Sequence, residues 1–182
     1  GVGELLNVVA GSVNDVGDLP SQCKNGMVVE IVNSVADEDN HYVIFRGNNG
    51  RDGEGTWQEC AKPGRKIRFA RNTMPVALIR TADGNFRLTE LDESQYDITV
   101  NGVTTTYDVP YWDDALVGDE DTNPEPSFVG RSINKMTFFR NRFVLLAEEY
   151  IIMSRPGDFT NFWNKSAIQF ISSDPIDIST SS

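Results

Sequence analysis

Short β-type runs, separated by turn dipeptides that contain glycine, constrain this chain more than any other feature. Met27 to Val32 and His41 to Phe45 are rich in β-branched and aromatic residues, with a polar Asp37-Glu-Asp-Asn40 turn between them. Val76 to Thr81 and Phe86 to Leu91 flank Asp83-Gly84, while Tyr96 to Val100 and Val103 to Tyr107 flank Asn101-Gly102. Both dipeptides accept the positive φ angles of a two-residue type I′ turn, so each pair of runs predicts a hairpin. Helical periodicity is nearly missing. Glu4 to Ala10 is the one weak match, and it is too short to sustain a helix by itself. The predicted class is mainly β: a small antiparallel domain of hairpins, then a propeller-blade-like antiparallel meander, with little helix.

The rest of the chain fits that class. Gly47 to Gly55 reads as a flexible turn, since its glycine spacing matches neither phosphate-binding pattern. Trp57 opens a short strand that Lys62-Pro63-Gly64 ends. Residues 65–71 alternate Ile67 and Phe69 inward with Lys66 and Arg68 outward, the period of a half-buried strand. Asp113 to Pro126, with its acids and two prolines, reads as an extended connection. Lys135 to Phe139, Phe143 to Ala147 and Tyr150 to Ser154 predict three strands joined by Arg140-Asn141-Arg142 and Glu148-Glu149. The middle run is apolar on both faces, as a central strand buried between layers requires. No repeat of fixed period is present, so at most one blade is expected, and one blade cannot bury its faces alone. With a first residue other than Met, the sequence reads as a piece of a longer protein. The expected division is an antiparallel β domain over 1–117, with an acidic hairpin at 92–110, and the start of a propeller-like body over 118–182.

Composition narrows the function classes. Hydrophobic residues make up 39% of the 182, enough for a packed core. The longest apolar runs, Val76 to Ile79 and Phe143 to Ala147, fall far short of the ~18 residues that span a membrane. The net charge of −11 argues against a general binder of nucleic-acid phosphates. That charge is unevenly placed: residues 62–87 hold seven bases and one acid, whereas 88–130 hold eleven acids and no base. The basic stretch, with Lys62, Arg65, Lys66, Arg68 and Arg71 at its centre, has three readings. It is the outward face of a strand, a nucleic-acid contact, or a strip that meets the acidic 88–130 segment of the same or an adjacent subunit.

Few residues offer chemistry. His41 is the only histidine and lies within a β run, away from any nucleophile elbow. Cys23 and Cys60 sit in no metal or redox motif and read as reduced, packed thiols. Asp119, Asp121 and Asn123 reproduce the i, i+2, i+4 spacing that opens a calcium loop, but Pro124 and Gly130 stand where that loop needs Gly and Glu. They remain weak metal candidates. Paired carboxylates for glycoside cleavage converge in space rather than in sequence, so the acids leave that class open.

One block carries a family likeness. It runs through Thr122, Asn123, Pro124, Pro126, Ser127 and Phe128, then Phe138, Phe139, Arg140, Asn141 and Arg142. It continues through Gly157, Asp158 and Phe162 and ends on Asp174, Pro175 and Asp177. In this order the residues resemble tail tubular protein B, the tail nozzle protein of short-tailed bacteriophages. Upstream pieces agree, among them Asp18-Leu19-Pro20, Met74-Pro75 and Trp112, while the Asn101-Gly102 hairpin resembles an insertion. The resemblance implies a structural part of a virion tail, assembled in the bacterial host cytoplasm. It implies a six-fold homo-oligomeric ring in the full-length protein, contacts with tail adaptor and tail fibre proteins, and transient passage of DNA during ejection. It implies no cofactor and no catalytic residue. The alternatives are a tail-associated polysaccharide hydrolase and a calcium-dependent adhesion module.

Overall fold

The computed structural model describes residues 12–33 and 40–180. The Glu4 to Ala10 pattern and most of the Asp37 to Asn40 turn therefore lie outside the described residues. The protein is mainly β, and its only helical turns among those residues are the three-residue ones Val16–Asp18, Asn48–Gly50 and Arg71–Thr73. Two compact units are present. One comprises Gly1–Ile67, Ala115–Glu125 and Trp163–Asp174; the other comprises Arg68–Asp114, Pro126–Phe162 and Pro175–Ser182. Each is thus assembled from segments far apart in sequence.

The first unit is built on a five-stranded sheet. Its strands are β1 (Ser12–Val13), β2 (Gln22–Cys23), β3 (Val28–Ile31), β4 (His41–Gly47) and β5 (Gly53–Cys60), in the order β1-β3-β4-β5-β2. β1 runs parallel to β3, and the other neighbours are antiparallel. Val29, Ile31, Val43 and Phe45 supply the buried face, as alternation along β3 and β4 dictates. Trp57 closes one end: its ring meets Phe45 edge-on at 5.2 Å, and its indole N–H donates to the Pro20 carbonyl at 2.9 Å.

The glycine-rich stretch is not a flexible loop. Gly47 and Gly55 face each other across β4 and β5. A Cβ on Gly55 would stand 2.3 Å from the Arg46 carbonyl oxygen and 2.7 Å from Phe45 Cζ, so only glycine lets the Phe45 ring lie over the strand. Residues 65–71 also depart from expectation. Exposure alternates as predicted, with Lys66 and Arg68 out and Phe69 in, but the backbone of 65–70 joins no strand ladder and Arg71 opens a helical turn. Its groups are satisfied in other ways; the Ile67 carbonyl, for example, accepts from the Ala115 N–H at 2.9 Å.

The second unit holds two hairpins and a four-stranded sheet. The first hairpin joins β6 (Ala77–Arg80) to β7 (Phe86–Thr89), and the second joins β8 (Gln95–Val100) to β9 (Val103–Asp108). Asn101 and Gly102 have φ of 51° and 79°, the expected type I′ turn. The Asp83-Gly84 turn is one residue longer than predicted. Thr81 pairs with Asn85, Gly84 N–H bonds the Thr81 carbonyl, and Gly84 alone takes a positive φ of 83°. A type I turn followed by a left-handed glycine does the same work as type I′. The Asp83 carboxylate favours it by accepting from Thr81 Oγ1 and the Asn85 N–H.

The sheet is an antiparallel meander of β10 (Ile133–Phe139), β11 (Arg142–Ala147), β12 (Tyr150–Met153) and β13 (Ile176–Ser179), in that order. Sequence patterning finds the first three. The fourth, β13, alternates apolar and polar residues over only four positions, all of them exposed, and is too short to stand out. β11 is the central strand expected, with Val144, Leu145 and Ala147 buried on its two faces. The Arg140-Asn141 turn has φ of 45° and 60°, and the Asn141 carbonyl accepts from the Gly157 N–H at 2.7 Å.

Replacing Gly55 by Ala is expected to destabilise the protein by about 1–3 kcal/mol, the range for overpacking a filled site. Replacing Gly50, where a Cβ meets open space, is expected to cost only the strain of its left-handed φ of 71°. Urea denaturation of the two variants checks the difference.

Candidate assembly surface

Most residues of the family-like block hold the chain together. In the first unit, Asn123 is 1% exposed. Its side-chain amide donates to the Val117 carbonyl at 3.0 Å, and its oxygen accepts from the Asn164 N–H at 2.8 Å. Asp174 accepts from the N–H groups of Lys165 and Ile171, closing the 165–174 loop. The 113–126 stretch is therefore not a loose connection, and its return into the first unit is packed. Gly118 bridges Ala61 beside the end of β5, and Ala115 and Val117 are buried.

Two of the weak metal candidates, Asp119 and Asn123, spend their side chains on hydrogen bonds within the first unit. Asp119 Oδ1 accepts from the Asp121 N–H, the Thr122 N–H and Thr122 Oγ1 at 3.0–3.1 Å, which caps its own turn. Partial burial pushes the Asp119 carboxyl up, but these bonds outweigh it and hold the group below its ordinary range. Among the described residues no three His, Cys, Asp or Glu gather where they could hold a metal ion. Cys23 and Cys60 are free thiols, and burial raises the pKa of Cys60.

In the second unit the same block builds an aromatic core. Phe69, Phe128, Phe162 and Trp112 are buried, with ring centroids 5.1–6.2 Å apart along the file. Pro126 is also buried, and Ser127 N–H donates to Asp177 at 2.7 Å, tying the start of this segment to β13. Gly157 and Asp158 form the turn that meets Asn141, and Arg142 donates to the Ser154 carbonyl at 2.8 Å. Phe138 and Phe139 differ from the rest of the block, because both rings are exposed.

The basic strip is consumed by its own chain. In the first unit, Lys66 pairs with Glu125 at 2.7 Å and Lys62 lies 5.9 Å from the Tyr42 ring centre. Arg65 is not on the surface: it is 9% exposed and stands over Trp163, and its guanidinium donates to the carbonyls of Asp119 and Asn123 at 2.7 and 2.8 Å. In the second unit, Arg68 Nε reaches both oxygens of Asp114 at 2.8 and 3.0 Å. Lys66 and Arg68 thus each meet an acid of the 88–130 segment of the same chain while staying largely exposed. Arg71 remains exposed.

What the second unit leaves open is apolar. On the β6–β7 hairpin, Leu78 and Leu88 face each other and are 64% and 68% exposed, with Phe86 63% exposed beside them. An open groove of about 400 Å³ lies among Val76, Leu91, Trp112, Met136, Phe138 and Phe159. Exposed apolar side chains in such number favour a contact site, because leaving them in water forgoes ~1.5–3 kcal/mol per large side chain. The sequence reading did not select these residues. The signal was the run Val76 to Ile79, which is apolar on both faces of a strand that has only one side to bury.

Comparison with known proteins follows this geometry closely. A family model described as "Bacteriophage nozzle protein" matches residues 2–182. The chain is also 34% identical over 179 residues to "Tail tubular protein gp12" of Escherichia phage T7. That match covers 98% of this chain but 20% of the relative, so the chain spans about a fifth of the relative's length.

Two measurements test the first unit. Arg65→Met keeps the bulk but removes the donors from buried carbonyls, and is expected to lower stability by about 3 kcal/mol in urea denaturation. Asp119, whose folded pKa is depressed, contributes stability that is present above its unfolded value and lost as pH falls below about 4. Asp119→Asn is therefore expected to flatten the acid limb of the stability curve, as measured by denaturation at stepped pH.

Proposed function

We propose a role that proceeds from family membership: the chain belongs to the bacteriophage nozzle protein family. It is a structural component of the virion tail, and its work is assembly. The single observation that carries this reading is the apolar surface that the second unit leaves open: Leu78, Phe86 and Leu88 are exposed on the β6–β7 hairpin, and Trp112 and Phe138 line an open groove. In the full-length protein this surface is covered by a neighbouring subunit or another tail protein. The neighbours that fit a nozzle are other copies in a six-fold ring, the tail adaptor and the tail fibres. Residues 1–117 supply docking β elements in this reading, and residues 118–182 begin the return into a propeller-like body.

The charge distribution supports a passage rather than a grip for DNA. The bases of the 62–87 stretch that pair with Glu125 and Asp114 are not free to hold phosphates. The remaining acids, including Asp97 and Asp108 on the β8–β9 hairpin, repel a phosphate backbone wherever they meet it. The genome then slides through a ring whose shape, rather than its affinity, does the work.

The test is a pair of substitutions in the full-length protein, Leu78→Ser with Leu88→Ser. Both side chains are exposed, so the melting temperature of this chain is expected to change little. Entry into assembled tails, counted by electron microscopy and by plaque titre, is expected to fall at least about tenfold, the effect of ~1.4 kcal/mol. Wild-type incorporation by the double variant would remove the proposal.

A further inference from the structure

Each unit shows one uncharged apolar feature, and the two are opposite in shape. In the first unit the run Ser166 to Ser173 contains no charged residue and presents Ile168 and Phe170, which are 57% and 86% exposed. Phe170 is the most exposed large apolar side chain among the described residues. In the second unit, the open groove of about 400 Å³ has Val76, Leu91, Trp112, Met136 and Phe138 in its wall, and no residue that lines it is charged. We propose that the 166–173 loop of one copy of this protein seats Phe170 and Ile168 in the groove of a second copy. This rests on the reading of the groove as an assembly surface and names its occupant.

The loop is held in shape before any partner arrives. Glu59, on β5, accepts from Ser166 Oγ and from the Ala167 N–H, both at 2.8 Å, and Ser166 Oγ accepts in turn from the Ile168 N–H at 3.2 Å. The buried Asp174 accepts from the Lys165 and Ile171 N–H groups at 3.3 and 2.8 Å, and its own N–H donates to the Ile171 carbonyl at 3.0 Å. Two carboxylates thus clamp the chain on either side of Phe170. Docking a loop already fixed in this way costs little ordering, and an aromatic anchor in a pocket is where an interface concentrates its energy.

Charge and shape select the occupant. With 24% of its residues charged and a net charge of −11, the chain repels its own copies over most of its surface. Two copies meet without that penalty where both surfaces are free of charge, as the loop and the groove are. A phenyl ring and a branched aliphatic side chain fit together in a groove of this volume, and the rings of Trp112 and Phe138 offer Phe170 edge and face contacts. The β6–β7 hairpin fits the groove less well. Its exposed face is a flat ladder that pairs Leu78 with Leu88 and sets the exposed Arg80 opposite Phe86, a charge that an uncharged groove leaves unpaired. The start of that hairpin, at Ala77, is itself part of the groove wall.

The contact has a direction. The knob belongs to the first unit and the groove to the second, so each copy inserts with one and receives with the other. Such a heterologous contact is not saturated by two copies and continues from copy to copy until it closes on itself. A face-to-face contact between two hairpins would end at a pair.

The experiment measures self-association of the full-length protein by sedimentation. Phe170→Ser removes the knob, and Met136→Glu puts a charge into the groove; both side chains are exposed, so melting temperatures are expected to change little. Each variant alone is expected to associate at least about tenfold more weakly than wild type, whereas Phe170→Leu keeps an apolar knob and associates as wild type does. An equimolar mixture of Phe170→Ser and Met136→Glu restores one knob and groove contact per pair, and is expected to associate more tightly than either variant alone. A folding defect in either variant gives no such rescue. A mixture no tighter than its parts, or variants that associate like wild type, overturns the inference. If the Leu78 and Leu88 variant is nonetheless kept out of tails, the assembly reading stands without this occupant; if that variant enters normally, both readings fall. Wild-type protein that stays monomeric also overturns the inference, and exclusion of Phe170→Ser from tails then assigns the loop to another tail protein.

Discussion

The first unit depends on one buried cation. Arg65 lies at the end of the segment that follows β5, and its guanidinium binds backbone carbonyls of a stretch some fifty residues later, at Asp119 and Asn123. A guanidinium can do this because its donors fan out in one plane and match several carbonyls at once. Burying a charge without a carboxylate is expensive, so the arrangement persists only where those carbonyls are fixed. Asn123 fixes them through its bonds to Val117 and Asn164, which brings in the third segment of the unit. The three pieces therefore depend on one another. The sheet supplies a hydrophobic floor, and the polar knot decides which remote segments close over it.

The same economy governs the surface charges. A chain with eleven acids in 88–130 and seven bases in 62–87 could carry two opposed patches. Folding instead sets Lys66 against Glu125 in one unit and Arg68 against Asp114 in the other. Exposed ion pairs contribute little to stability. Their larger effect is on the local field, because each pair offsets one base of the strip, while Arg71 stays exposed.

Hairpins were legible in the sequence because turn chemistry is local. Asn101-Gly102 specifies its own φ angles, and β11 announces itself by being apolar on both faces. What escaped was decided at long range. Arg65 falls on the inward side of its alternation with Ile67 and Phe69, but nothing near it in sequence announces the carbonyls of residues 119 and 123 that hold it there. Asp113 to Pro126 has the composition of a linker, yet Asn123 gives it a buried anchor. β13 has a pattern of only four residues, too short to announce a strand, and it pairs along the edge that β12 offers. The exposed apolar residues escaped for the opposite reason: Leu78 and Leu88 lie in hairpin strands, and a sequence alone does not tell a buried strand face from an open one.

The sheet of the second unit also settles where association can begin. β10 carries an irregularity in register between Ile133 and Lys135, with a lysine just beyond it, and β13 follows directly on Pro175 and contains Asp177. Bulges, charges and prolines at such positions spoil the regular ladder that another strand would need. The two margins are therefore closed to growth by strand addition, while the aromatic face between them stays adhesive. Guarded margins turn this sheet away from open-ended stacking and leave its faces, rather than its edges, as the surfaces through which it meets anything else.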